Sequence, residues 1–434
     1  MIRKELQFLT TWQTSPNRKP LIIQGARQVG KTWLMKEFGR LNYEKTAYIN
    51  FESNAALKSL FQADYNIDRI LTAIKIETGV MIEPENTLII LDEIQEAQGG
   101  VTSLKYFYEN APQYHVLSAG SLLGVALGNT SFPVGKVDKL DLYPLNYSEF
   151  LLAMGEPDLV DLLQKKDWAL VKTFRTKYIE LLKQYYYVGG MPEAVNSFSR
   201  EKNFTEVRQI QKNILSSYEQ DFSKHAPPEI IPRIRMIWNA VPSQLAKENR
   251  KFIYSSLRSG ARARDYELAM NWLHDAGLVY KVHNVSTAGI PLKAYQIPAA
   301  FKLFMLDTGI LSAMTDLDAR TLIEGNEMFT TFKGALTEQY VLQQLVSMRI
   351  GDIYYWYPEN ARSEVDFLIQ YSGQIIPIEV KAEENLKARS LRVYYEKFKP
   401  ATSIRYSMSD YREQEWMKNV PLYAIESVIL SARI

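Results

Sequence analysis

The chain has 434 residues, 46% apolar and 23% charged, a composition that excludes a disordered polymer and a length that predicts two or three domains. Its net charge of +2 neither requires nor excludes nucleic acid, so local charge has to decide. It has no cysteine, which excludes disulfides and thiolate metal sites, and four scattered histidines argue against zinc.

The opening MIRKELQFLTTW carries no long apolar run of the secretory kind, and no later run approaches the roughly 18 apolar residues of a membrane span. The expectation is a cytoplasmic protein. Residues 20–150 alternate short apolar strands with helical stretches. The predicted strands are Pro20–Gln24, Ala47–Phe51, Leu88–Leu91, His115–Ser118 and Leu140–Leu142. Apolar runs separated by helices predict a parallel sheet covered on both faces.

The first strand runs into LIIQGARQVGKT, that is Gly25, Ala26, Arg27, Gln28, Val29, Gly30, Lys31 and Thr32, followed by a helical WLMKEF. Glycines at this spacing let backbone N–H groups turn inward around phosphate. Lys31 brings a positive charge to the outer phosphates, and the Thr32 hydroxyl suits Mg²⁺. The ligand expected is ATP with Mg²⁺. The third strand ends in TLIILDE. Asp92 at its end is placed to hold the metal with Thr32, and Glu93 to activate water against the γ-phosphate. Two adjacent acids at a buried strand end repel and call for a nearby cation. The next strand ends in HVLSAGS, where a resemblance to AAA-type ATPases implies a polar residue that senses the γ-phosphate; Ser118 and Ser121 are the candidates, with Ser121 preferred, and serine capping a turn is the competing explanation. No arginine finger stands out: Arg27 sits in the phosphate loop itself, and Arg175 is one of several candidates.

The extra strand between the two motifs, with a glutamate after the metal aspartate, resembles one division of P-loop ATPases. GARQVGKT, LDEIQ, SAGSLLG, LYPLNYSEFL (142–151) and YVGGMPEAV (187–195) occur in the order found in AAA-type ATPases of bacteria and archaea with a C-terminal domain of uncharacterised function, and the chain resembles them over nearly its whole length. The resemblance implies ATP hydrolysis, with Glu93, Lys31 and Ser121 as the catalytic set. Many relatives have arginine after the glycine at Gly135; here Lys136 follows.

Residues 151–228 read as a helical extension ending near the Pro-Pro pair at 227–228. Residues 229–330 read as helices at Ile230–Ala240, Lys251–Leu257 and Tyr266–Asp275. Strands Leu278–Val282 and Leu292–Ile297 then form a wing around Ser286–Gly289. This order resembles a winged helix-turn-helix. From Glu229 to Lys281 there are nine Lys/Arg and five Asp/Glu. Arg258, Arg262 and Arg264 fall near the third helix, where DNA contacts are made in such modules; a packing role with solvated arginines is the alternative. Asp316–Phe332 is a second candidate linker.

Residues 331–434 open with a helix bearing Glu338. Two strands follow, SEVDFLI and IIPIEVKA, around a Ser372-Gly373 turn. That turn sets Asp366 opposite Glu379, with Lys381 on the same face. Glu338, Asp366, Glu379 and Lys381 resemble the PD-(D/E)xK nuclease set, which implies a metal at a scissile phosphate; a structural salt-bridge cluster is the alternative. Lys387 and Arg389 lie just beyond. The fold class expected is α/β: an AAA-type P-loop domain at 1–150, the helical extension at 151–228, a winged-helix-like module at 229–330 and a nuclease-like α/β domain at 331–434. Candidate partners are ATP, DNA, other proteins and further copies of the chain. The functions in view are an ATPase acting on nucleic acid, a nucleotide-gated interaction protein, and an ATP-regulated nuclease.

Overall fold

The strand Thr87–Asp92 is buried along its whole length, which only a sheet covered on both faces can do. In the computed structural model, which describes residues 2–54, 56–62, 64–121, 132–247, 251–324, 330–358, 363–384 and 388–429, it is β3 of a five-stranded sheet. The others are β1 (Leu21–Gln24), β2 (Lys45–Asn50), β4 (His115–Gly120) and β5 (Asp138–Asp141). All pairs are parallel and the order is β2-β3-β4-β1-β5. β4 therefore separates β1 from β3. The loops that follow β1, β3 and β4 open at the same sheet edge, the usual place for a ligand in such sheets. Ile22, Ile49, Ile89, Leu91 and Val116 from four strands, with Phe51 just after β2, join Ile70 and Ile74 of the helix Ile67–Thr78 in one core. The helix Lys31–Asn42 packs through Leu34, Met35 and Phe38, and a Cβ on its Gly39 would come within 2.6 Å of the Thr46 hydroxyl.

The chain divides into two compact units, one of Ile2–Tyr143 with Asp275–Gly277, the other of Pro144–His274 with Leu278–Ile434. The second unit opens with helices, among them Tyr147–Ala153, Arg175–Val188, Pro192–Glu201 and Phe204–His225. Asn146 and Glu149 form a reciprocal capping box on the first of these, and Asn203 caps the last.

The second unit also holds an eight-stranded sheet of order β12-β13-β11-β10-β9-β8-β6-β7. Its strands are β6 (Val279–Val285), β7 (Gln296–Met305), β8 (Ile353–Trp356), β9 (Val365–Tyr371), β10 (Gln374–Val380), β11 (Ile404–Ser407), β12 (Arg412–Glu413) and β13 (Lys418–Pro421). Of the two strands expected to form a wing, Leu278–Val282 falls on β6, whereas Leu292–Tyr295 is a 3₁₀ turn and β7 begins only at Gln296; β6 pairs with β7 and, in parallel, with β8. One hydrogen-bonded sheet runs across the boundary drawn at residue 330. The helix expected at Lys251–Leu257 is also replaced: Lys251 bridges Lys302, the Phe252 amide donates to the Phe301 carbonyl at 2.8 Å, and only a 3₁₀ turn at Tyr254–Ser256 remains. Phe252 stacks on Phe301 at 5.6 Å, so aromatic pairing along a strand edge outweighs a weak helical period.

The Tyr187–Glu193 phrase has a structural use. It is the turn between the helices Arg175–Val188 and Pro192–Glu201. A Cβ on Gly189 would run into the Asp307 carboxylate, and one on Gly190 into the Leu145 carbonyl. Asp307 is fully buried. One of its oxygens accepts from the Gly190 amide (2.6 Å) and Gln343 (2.8 Å), the other from the Ile310 amide (3.0 Å). Gln343 and Gln344 of the helix Thr330–Ser347 also reach the Tyr185 hydroxyl, and Gln344 accepts from the Tyr147 amide. Such a saturated buried network defines one packing. Among the described residues, no helix is long and apolar enough to cross a membrane.

Candidate active site

The phosphate loop follows directly from β1. The Leu142 amide donates to the Gln24 carbonyl at 2.8 Å, and the Gln24 side chain donates to Asp141 at 2.6 Å. Gly25 sits at φ 148° against the Leu142 carbonyl, where any Cβ would collide. Gln28 and Gly30 take positive φ of 66° and 95°, which curls the loop and points Gly30 into the helix Lys31–Asn42. Lys31 is 5% exposed and folds its ammonium onto the Gly25 and Ala26 carbonyls at 2.9 and 2.8 Å. Burial pulls it down to about 8, with Glu93 and Asp92 opposing that shift. Arg27 pairs with Glu52 at 3.3 Å on the partly exposed side. Val29 is buried, as is Ala26.

Asp92 is 1% exposed at the end of β3. One of its oxygens accepts from the Thr32 hydroxyl at 2.7 Å and from Tyr48 at 3.0 Å; the other accepts from the Glu93 amide at 3.1 Å. Burial raises its carboxyl above the ordinary range. A buried acid and a threonine hydroxyl at hydrogen-bond distance are the oxygen donors a hard cation prefers, so Thr32 and Asp92 fit Mg²⁺. Glu93 stands next to them. Its carboxylate accepts from the Ser121 hydroxyl (2.7 Å), the Ser121 amide (3.2 Å) and Gln95 (2.6 Å). Ser118, the other serine candidate, is buried and gives its hydroxyl to the Leu21 carbonyl at 3.3 Å. Leu122–Gly124 of the SAGSLLG motif lie outside the described residues.

The carboxyl-terminal set is arranged differently from the expected metal centre. The Ser372-Gly373 turn does set the register, with Tyr371 opposite Gln374 and Phe367 opposite Ile378. Asp366 accepts from the Val380 amide at 2.7 Å. Glu379 pairs with Lys381 at 2.6 Å and accepts from the Leu391 amide, in the first turn of the helix Arg389–Phe398, at 2.9 Å. Burial and then Asp366 raise the Glu379 carboxyl, while Lys381 opposes this. Glu338 is buried with Lys302, 3.7 Å away. Among the described residues no group of three His, Asp or Glu side chains is placed to hold a metal ion. Arg175 pairs with Glu384 and Asp410 in this same unit. Lys136 pairs with Glu109 at 3.0 Å. Lys387 lies outside the described residues.

Residues 17–151 match a family model described as "AAA domain". The chain carries an AAA-type domain. Two further family models match beyond it, both described as domains of unknown function: DUF8612 at residues 179–321 and DUF4143 at residues 333–425. A Walker-type ATPase of Pyrococcus abyssi aligns at 15% identity and TM-score 0.45, over 72% of this chain and 95% of that one. The Aeropyrum pernix Orc1 protein, in complex with DNA, aligns at 12% identity and TM-score 0.29, over 73% and 93%. No curated protein matches the chain.

In the AAA-type domain, sequence reading missed Tyr48 and Gln95. Tyr48 lies on β2, two residues before Asn50, the register partner of Asp92. Burial, then Asp92, pushes its phenol up to about 12, so it stays a donor to the acid. The Lys36 ammonium covers its ring at 3.6 Å. The signal was available in principle: a strand inserted between the two motifs has to run beside one of them.

Proposed function

We propose that the AAA-type domain binds ATP with Mg²⁺ and hydrolyses it. The observation that carries this is the contact of the Thr32 hydroxyl with Asp92 at 2.7 Å, beside a glutamate held from three directions. The loop Gly25–Thr32 wraps the phosphates, and Lys31 swings from the loop carbonyls to the outer phosphates. Mg²⁺, when bound, would be held by Thr32 and Asp92 and would neutralise phosphate charge. Glu93 takes the proton of a water as its oxygen bonds to the γ-phosphorus and the bond to ADP breaks. Ser121 and Gln95 keep the Glu93 carboxylate aimed.

The test combines calorimetry with phosphate release. Lys31→Ala is expected to weaken ATP binding roughly 10–150-fold, the value of a charge-assisted hydrogen bond. Glu93→Gln is expected to bind ATP normally and lose about 10²–10⁴-fold in turnover. Full turnover in Glu93→Gln would remove the assignment.

As the partner driven by ATP, nucleic acid is favoured by Arg258, Arg262 and Arg264, all exposed around the start of the helix Ala263–Asp275. Arg262→Ala/Arg264→Ala is expected to reduce DNA-stimulated turnover. No stimulation of wild type by DNA at low salt would favour a protein partner instead.

A further inference from the structure

Lys302 of β7 is 1% exposed, and an ammonium is rarely buried so deeply unless it is paired. Its partners are two acids from separate elements. Glu338 comes from the helix Thr330–Ser347, and Glu364, whose carboxylate the ammonium also meets, stands immediately before β9. The Tyr355 ring of β8 lies 5.0 Å from the same ammonium. Glu364 is two residues from Asp366, so the alternation of a strand places both on one side. The remaining members of the set are engaged as well. Asp366 takes the Val380 amide, and Glu379 takes both Lys381 and the Leu391 amide. Arg405, 2% exposed, is the register neighbour of Glu379 on β11 and acts electrostatically on it.

The acids therefore fall into two groups, each already paired with a cation of the protein. A Mg²⁺-class ion needs about six oxygen ligands at roughly 2.1 Å, several of them free carboxylates. Here it would have to displace fixed cations and sit beside a buried ammonium, where repulsion is weakly screened. We propose that Lys302 is an internal counter-ion standing in for the metal of the nuclease-like set. The carboxyl-terminal acids form an internally paired ionic core that does not perform metal-dependent phosphodiester hydrolysis. This inference is independent of the ATP reading, because no residue is shared with the phosphate loop.

The experiment measures Mn²⁺ uptake and thermal stability of the full chain without nucleotide, in a Thr32→Ala background that removes the hydroxyl ligand of the ATP site. The parent is expected to take up no stoichiometric Mn²⁺, and its melting temperature should not respond to the metal. Lys302→Met leaves Glu338 and Glu364 facing each other. It is expected to melt roughly 5–15 °C lower, as for a broken buried ion pair, and to recover stability when Mn²⁺ is added. Lys302→Met/Glu364→Gln should recover without metal, which keeps the test open if the single variant fails to fold. Stoichiometric Mn²⁺ binding by the parent that Asp366→Ala abolishes would overturn the proposal. So would a Lys302→Met protein as stable as the parent.

Discussion

At Glu93 the backbone sits at φ 49° and ψ 47°, a conformation that costs a non-glycine residue roughly 1–3 kcal/mol. The position is held because three donors meet its carboxylate, two of them from Ser121. Ser121→Ala removes one donor and leaves the phosphate loop intact. Its kcat is expected to fall about tenfold with ATP affinity unchanged, the worth of one hydrogen bond; steady-state kinetics and calorimetry together separate the two effects. His115 presents a different residue-scale case. Its ring meets the Tyr43 hydroxyl at 2.6 Å, and burial brings it down to about 4. The folded protein thus resists protonating a group that the unfolded chain protonates below about 6.5. Stability from His115 is complete above that value and is lost as pH falls towards 4. Thermal melts of His115→Gln are expected to show a flatter decline across that window than wild type.

Among the elements, the turn at Gly189-Gly190 is the most constrained by its surroundings. The Leu145 amide donates to the Gly190 carbonyl at 2.7 Å, while the Leu145 carbonyl occupies the space a Gly190 side chain would need. Gly190→Ala is expected to destabilise the second unit by about 1–3 kcal/mol, the range for overpacking a dense core. Denaturant melts would check this, with ATP binding by the first unit as the control that should not change. The phrase around this turn therefore reflects packing against Asp307 more than chemistry. The same holds for β6 and β7. The sequence pointed to a strand at β6 and to the first two residues of β7, but a two-stranded wing and the edge of a larger sheet have the same local pattern. Only the partner strand β8, some 70 residues later in the register His283 to Tyr354, distinguishes them.

For the whole molecule, the phosphate loop and its acids lie in the unit of Ile2–Tyr143, and the nuclease-like set lies in the other. Sites without shared partners contribute nearly additively. Asp366→Ala is therefore expected to leave basal ATP turnover within about twofold of wild type. Plasmid digestion assays with Mg²⁺ or Mn²⁺ are expected to give no cleavage by either protein.

The phosphate loop was legible in the sequence because its chemistry is local. Glycine spacing, the lysine and threonine that follow, and an apolar strand ending in two acids each depend on a few consecutive residues. The five parallel strands were legible for the same reason, since each is a short apolar run between helices. Sequence also determined the hairpin register around Ser372-Gly373, because a two-residue turn dictates which residues oppose. What only the tertiary structure decided was the company those residues keep. Tyr48 reaches Asp92 through strand pairing, and Ser121 reaches Glu93 because β4 lies beside β3. Lys302 meets Glu338 and Glu364 across a sheet and a helix far apart in the chain. Charge neutralisation is a property of distances in space, and the spacing of residues along a chain does not encode it.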